Sequence, residues 1–228
     1  MVTRRAQGYL VRGSPCFIMT PKRTFVYIDG FNFYYGKVKG TKFKWVDFGK
    51  LCTFLLPKEK NNIIKIKYYT AMVKPRQNDP GQLERQQVYI RALKTIPNFD
   101  IYFGHFLSHP IKMMRSDGKG FVEVIKTEEK GSDVNLASHM IFDGCKNEYD
   151  TAVIISGDSD LLEPVRIIRN DLKKSVGYLN PQNNPSKVLL LNCDFMKSIR
   201  FNTVINSQFP DTVIDKDGNQ ITKPLEWN

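Results

Sequence analysis

Short β-branched and aromatic runs alternate along this chain with stretches of helical periodicity, and that alternation constrains its fold more than any other feature. A strand pattern followed by a helical one, repeated, marks βαβ units that close into a parallel sheet. Strands are expected at Thr24–Asp29, Ile63–Val73, Phe99–Leu107, Thr151–Ser156 and Ser175–Leu179. In the second of these the alternation of Lys65 and Lys67 suggests a partly wet stretch. Helices are expected at Asp47–Leu56, from about Gly81 to Ile96, and at Asp133–Cys145, Ser159–Leu172 and Ser186–Leu191. Residues 108–130 read as an inserted hairpin that turns at Ser116-Asp117-Gly118-Lys119-Gly120. The tail from Phe209 to Trp227 lacks periodicity, although Asp217-Gly218 marks a turn. The expected organisation is a leader over 1–20, one α/β domain over 21–206, and a C-terminal extension over 207–228 packed on that domain.

Composition narrows the function classes. At 228 residues and 41% hydrophobic the chain can bury a substantial core. No apolar run reaches the roughly 18 residues of a membrane span, so no membrane partner is expected. The first twenty residues lack an apolar signal core, and Met19 is a second candidate start, with 1–18 as leader or tag. Cys16, Cys52, Cys145 and Cys193 are scattered and form no CxxC, which fits reduced thiols in the cytoplasm. Net charge is +11, from 34 Lys and Arg against 23 Asp and Glu. Residues 1–60 hold 12 of those basic residues and 3 of the acidic ones, so the surplus is concentrated at one end. A basic face of this kind suits a polyanion such as nucleic acid.

The chemistry is expected where the strands end, because open parallel sheets bind ligands beyond their carboxyl edge. Asp29-Gly30-Phe31-Asn32 follows the first strand, and Gly157-Asp158-Ser159-Asp160 follows Thr151–Ser156. Gly131-Ser132-Asp133 opens the helix before that strand. Right-handed crossovers bring these segments to one edge. Taken singly, Asp133 reads as an N-cap, Asp160 with Glu163 as a capping box, and Asp29-Gly30 as a turn. Taken together, Asp29, Asp133, Asp158 and Asp160 are better explained by a site for Mg²⁺ or Mn²⁺, since clustered carboxylates repel one another unless a cation is bound.

Three segments then carry a specific resemblance. YIDGFNFYYG (27–36), KGSDVNLASHMI (130–141) and DTAVIISGDSDLLEPVR (150–166) resemble the signature blocks of the NYN domain family, a branch of the PIN-like nucleases. The closing SQFPDTV and GNQITKPLEW (207–227) resemble the tail of its bacterial LabA-like subfamily. The resemblance implies a Rossmann-like three-layer α/β/α domain with a mostly parallel central sheet. It also implies a metal-dependent ribonuclease site in which Asp29, Asp133 and Asp158 hold metal and Asp160 completes the acidic shell. By the same resemblance Asn32 orients a carboxylate or a water, and Ser156 and Ser159 lie near the phosphate. Two departures stand out: the 108–130 insertion lacks the cysteine pair of some relatives, and Glu84, the obvious match to an early-helix Glu, has no motif around it.

The aromatics Phe31, Phe33, Tyr34 and Tyr35 precede Lys37, Lys39, Lys42 and Lys44. The aromatics are assigned mostly to the core, with Phe31 and Tyr34 packing the first helix onto the sheet. The four lysines are assigned to phosphates, joined by Lys126 and Lys130. His105, His109 and His139 are packed or surface side chains rather than zinc ligands, and no P-loop is present. The expected activity is hydrolysis of RNA phosphodiester bonds. The expected partners are RNA, single-stranded or structured, and further copies of the chain if it forms a homo-oligomer. A non-catalytic RNA- or protein-binding regulator and a structure-selective DNA nuclease remain as alternatives.

Overall fold

The computed structural model describes residues 20–75 and 77–228. Apart from Thr20, the expected leader falls outside the described residues, as do Met19 and Cys16. Seven strands form one sheet: β1 (Lys22–Asp29), β2 (Asn61–Ala71), β3 (Phe99–Met114), β4 (Phe121–Lys130), β5 (Thr151–Ile155), β6 (Ser175–Asn180) and β7 (Phe195–Ser198). Their order is β4-β3-β2-β1-β5-β6-β7. Every neighbouring pair is parallel except β3 and β4. This is an α/β fold with a mostly parallel sheet.

The central strands are buried on both faces, as a parallel sheet covered by helices requires. Along β1, Val26 and Ile28 face one core while Phe25 and Tyr27 face another. The first core is closed by α1 (Gly30–Phe33), α2 (Phe48–Leu55), α3 (Gln82–Leu93) and, late in the chain, α7 (Phe201–Asn206). The second is closed by α4 (Ser132–Cys145), α5 (Leu162–Arg166) and α6 (Lys187–Asn192). No helix among the described residues is long and apolar enough to cross a membrane.

Several expectations are corrected. Lys67 is not on a wet stretch: it is 7% exposed, and its Nζ donates to Asp143 at 2.6 Å. Tyr27 Oη donates to the same carboxylate oxygen at 2.7 Å. Phe33 is the aromatic that packs α1 onto the sheet, whereas Phe31 is half-buried and Tyr34 and Tyr35 are exposed. The chain leaves α1 through a wide π turn at Tyr34–Val38. The single helix expected at Ser159–Leu172 is a 3₁₀ turn (Ser159–Leu161), then α5, then a π segment (Ile167–Asp171).

β3 and β4 form a longer arm than a strand followed by a separate insertion. β3 runs unbroken for 16 residues and pairs with β4 from His105↔Lys130 to Met114↔Phe121. Pro110 is tolerated there because β3 has no second neighbour beyond Gly104. The tail carries a hairpin, β8 (Thr212–Ile214) with β9 (Gln220–Thr222), around the turn that ends at Gly218. It lies on the first core: Trp45 Nε1 donates to the Pro210 carbonyl at 2.9 Å, and Trp227 packs on Trp45 and Tyr89.

Candidate functional site

The carboxyl ends of β1 and β5 meet in one hydrogen-bonded assembly. Asp29 ends β1 and is 3% exposed. Its Oδ1 accepts from the Asn32 backbone N–H at 2.9 Å, which makes it the N-cap of α1 rather than a plain turn residue. Its Oδ2 accepts from Asn32 Nδ2 at 2.6 Å and from Ser156 Oγ at 3.0 Å. Burial pushes the Asp29 carboxyl up, those hydrogen bonds pull it back, and the Asp158 charge pushes it up again.

Asn32 joins three strand ends. Besides holding Asp29, its Oδ1 accepts from the Gly157 backbone N–H at 3.0 Å and from Gln182 Nε2 at 3.1 Å, beyond β6. A Cβ at Gly157 would stand 2.6 Å from Gln182 Cγ, so any larger residue would push Gln182 out of its place. Ser156 is fully buried. Its Oγ is committed to Asp29 and accepts the Asp158 backbone N–H at 3.1 Å, so it lies behind the carboxylates and not on the face a phosphate would meet. Ser159 is exposed at the start of the 3₁₀ turn.

Asp158, not Asp160, caps that turn, accepting the Asp160 backbone N–H at 3.0 Å. Asp160 is exposed. Asp133 is likewise not a cap: Gly131, at φ 98°, occupies that position, and Asp133 projects from the first turn of α4. Burial and then the charges of Asp29, Asp158, Glu129 and Asp160 push the Asp133 carboxyl up to about 6. The four expected acids therefore feel one another at one edge of the sheet. Glu129 is a fifth acid that the sequence reading missed. Its Oε1 accepts the Ser132 backbone N–H at 3.2 Å. The signal was its place in Glu129-Lys130-Gly131-Ser132-Asp133, two residues before the glycine that opens the helix.

The donor set is entirely carboxylate oxygen, the chemistry of hard divalent cations, and its mutual repulsion is what a cation would relieve. Among the described residues no three His, Cys, Asp or Glu side chains form a ready-made metal cage. Carboxylates without a thiolate or imidazole among them are donors of the kind hard cations take and not those of a structural zinc site. Glu84 lies apart on α3, where it lines a cavity of about 500 Å³ with Met72, Gln87 and Arg91.

The expected lysines begin beside this assembly. Gly36 approaches the Pro181 carbonyl so closely that a Cβ would stand 2.5 Å from it, next to the Gln182 that holds Asn32. Lys37 follows directly, and burial lowers the pKa of its amine. Lys39 Nζ lies 4.6 Å from the Tyr35 ring centroid and Lys42 Nζ 5.9 Å from that of Phe43. Among the described residues Lys37, Lys39, Lys42 and Lys44 make no ion pair. Lys126 and Lys130, expected to join them, are instead tied to Glu128 on the arm. His139 is half-buried with Nδ1 3.0 Å from Tyr69 Oη, and His105 and His109 are exposed on β3.

Comparison with known proteins bears on the whole of this edge. The model of the NYN domain matches residues 23–200, which contain every acid described above. The 6-hydroxy-3-succinoylpyridine 3-monooxygenase HspA of Pseudomonas putida is 29% identical over 193 residues, covering 73% of this chain and 62% of that protein. The chain therefore spans less than two thirds of that relative's length. A crystal structure of a protein of unknown function from Vibrio parahaemolyticus superposes with a TM-score of 0.51 at 21% identity, covering 79% of this chain and 94% of that one. At that identity the likeness is one of fold.

Proposed function

The chain belongs to the NYN domain family, and from that membership we propose that it is a divalent-metal-dependent ribonuclease of the PIN-like superfamily and its LabA-like branch, working in the cytoplasm. The observation that carries this reading is the coupling of Asp29, Asp133, Asp158 and Asp160 at one sheet edge, beside a run of lysines that make no ion pair among the described residues. Asp29, Asp133 and Asp158 would hold Mg²⁺ or Mn²⁺, with Asp160 completing the acidic shell. The chemistry such an ion supplies when bound is acidification of water and neutralisation of charge on a phosphoryl group.

The protein's own residues do the rest. Asn32 and Ser156 fix Asp29 in one rotamer, so its carboxylate is in place before substrate arrives. Lys37, Lys39, Lys42 and Lys44 draw in the polyanion and track its phosphates. Ser159, exposed beside the acids, is the serine placed to meet a phosphate oxygen.

The test is cleavage of end-labelled RNA with Mg²⁺, Mn²⁺ or EDTA, by the wild type and Asp158→Asn. The Asn amide keeps an oxygen to accept the Asp160 N–H, so the turn survives while the charge is lost. Metal-dependent cutting that drops at least about a hundredfold in the variant is expected. Equal turnover by the variant refutes the assignment, binding without cutting favours the regulator, and preference for DNA favours the DNA nuclease. The name of the Pseudomonas relative supplies a second reading, oxygenation of a small hydroxylated pyridine. Against it, neither the cavity beside Glu84 nor the one between Lys50 and Phe209 is lined by any of the four acids. Oxygen consumption coupled to NAD(P)H oxidation when such a pyridine is added would transfer the assignment to that reading.

A further inference from the structure

The π turn exposes its tyrosines at the edge where the acids lie, and the loop after it adds the half-buried Phe43. Tyr35 is 56% exposed and meets Tyr34 edge-to-face at 5.3 Å. Four residues on, Lys39 lies against the Tyr35 ring. The chain turns at Gly40 and brings Lys42 to Phe43. Phe43 meets Phe201 edge-to-face at 5.5 Å, and Phe201 is 41% exposed beside the exposed Arg200. Arg200 and Phe201 come from the start of α7, just past the carboxyl end of β7, more than 150 positions away in sequence. Two distant parts of the chain thus bring three rings and three cations into one strip: Tyr35, Lys39, Lys42, Phe43, Phe201, Arg200.

A core has no use for this arrangement. Phe33 and Phe48 already fill the space under the π turn, so the outward rings stabilise little by burial. A cation over an exposed ring is weakly held and is readily exchanged for a phosphate contact. Rings presented with free edges and faces beside mobile cations are the means by which proteins take up unpaired strands, because every base has a face to stack and every nucleotide a phosphate to neutralise. A duplex keeps its bases stacked inside and offers such rings nothing.

Resting on the nucleic-acid reading of the acidic site, we infer that this strip is a binding track for unpaired nucleic acid. The strand leaves the acids past Gly36 and runs over Tyr35 toward Phe201, with Lys39, Lys42 and Arg200 on its phosphates. Stacking and phosphate contact do not read the sugar, so the strip selects for unpaired strands and leaves the choice between RNA and DNA to the acidic site.

The test is fluorescence anisotropy in EDTA, where turnover plays no part. Labelled single-stranded oligouridylate, oligothymidylate and a short duplex are titrated with the full chain and with Tyr35→Ala, Tyr35→Phe and Phe201→Ala. Circular dichroism checks that each variant is folded. Tyr35→Ala and Phe201→Ala are each expected to weaken both single strands about tenfold and the duplex hardly at all. Tyr35→Phe, which keeps the ring, should bind like the wild type. Unchanged binding by both alanine variants overturns the track. So does an equal loss on the duplex, or a wild type that binds no nucleic acid, as a protein-docking surface would. The two readings fail separately. A wild type that cuts RNA but is indifferent to Tyr35→Ala loses the track and keeps the nuclease. One that holds single strands through Tyr35 but never cuts keeps the track and loses the nuclease.

Discussion

At the scale of single residues, the site is built by polar side chains that hold carboxylates in place against their own repulsion. Asn32 uses both ends of its amide, donating to Asp29 and accepting from Gly157 and Gln182. Asp133 has no such support among the described residues, and its carboxyl is pushed from the ordinary 3.8 up to about 6 by burial and by its acidic neighbours. The sign of the consequence is fixed by linkage. Below about pH 4 Asp133 is protonated whether the chain is folded or not; between about 4 and 6 the folded chain keeps a proton that the unfolded chain releases. Stability contributed at this position is therefore lost as pH rises through that window, and above it ionised Asp133 works against the fold. Asp133 is only partly desolvated and still meets water, so solvent screening reduces the effect to about 1 kcal/mol, or about 2–4 °C in Tm for a chain of this size. Asp133→Asn should accordingly melt higher than the wild type at pH 7.5 in EDTA, and the gap should close at pH 4. Mg²⁺ should raise the wild type more than the variant. A lower Tm for Asp133→Asn at pH 7.5 would show that Asp133 is not repelled as described. The acids themselves were legible in the sequence because each ends a strand or begins a helix beside a glycine. Of their supports, Asn32 was named through the family resemblance and Ser156 was assigned to the phosphate instead, while Gln182 looks like any loop polar residue until the strands are paired.

At the scale of elements, the strands were legible and the joints between them were not. The strands expected at 24–29, 63–73, 151–156 and 175–179 correspond to β1, β2, β5 and β6, because strands buried on both faces read as compact apolar runs. β7 and α7 were not foreseen: four and six residues are too few to establish a period. The alternation that made Lys67 look wet was real, but it pointed into the second core, where Asp143 on α4 waits. That ion pair, with Tyr27 Oη on the same oxygen and the rings of Phe25 and Tyr102 each 5.7 Å from Lys67 Nζ, fastens α4 to β1, β2 and β3. It therefore sets where Asp133, ten residues earlier on the same helix, stands against the sheet edge. Burial and the Asp143 charge hold the Tyr27 phenol far above its usual range, so it remains a donor at any working pH. Lys67→Met would leave the Asp143 carboxylate buried without its cation and should cost about 3–5 kcal/mol. Lys67→Met with Asp143→Leu, which removes both charges, should recover most of that loss in urea unfolding. If the double variant is as unstable as the sum of both single ones, the pair does not act as a unit.

At the scale of the whole molecule, the distribution of charge matters more than its total. The net +11 could have meant a uniformly basic surface. Some cations are neutralised close by, as in Arg23 with Asp150, Lys65 with Asp100, Arg169 with Asp194 and Lys223 with Asp211, while others, such as Lys22, Lys58, Lys94 and Lys187, stand singly without an ion pair among the described residues. The tail takes part in this as well as in covering Trp45, because Arg85 reaches both Asp79 and Glu226. Beside the acids such cations are dense: four lysines within eight positions, with Arg200 brought to them by the fold, make no ion pair among the described residues. The sequence displayed the lysines and their imbalance but not Arg200, which joins them only when β7 completes the sheet edge. A polyanion should therefore be drawn to one side of the molecule, and the number of its contacts can be counted. Each phosphate contact with a single strand contributes about 0.7 to the slope of log K against log salt. Lys39→Ala with Lys42→Ala should lower the magnitude of that slope by about 1.4 for a single-stranded oligonucleotide. Lys223→Ala, which removes a cation already paired with Asp211, should leave the slope as it was. If the two substitutions beside the acids and the one on the tail lower the slope alike, binding follows net charge, and the edge where the acids lie has no special claim on the strand.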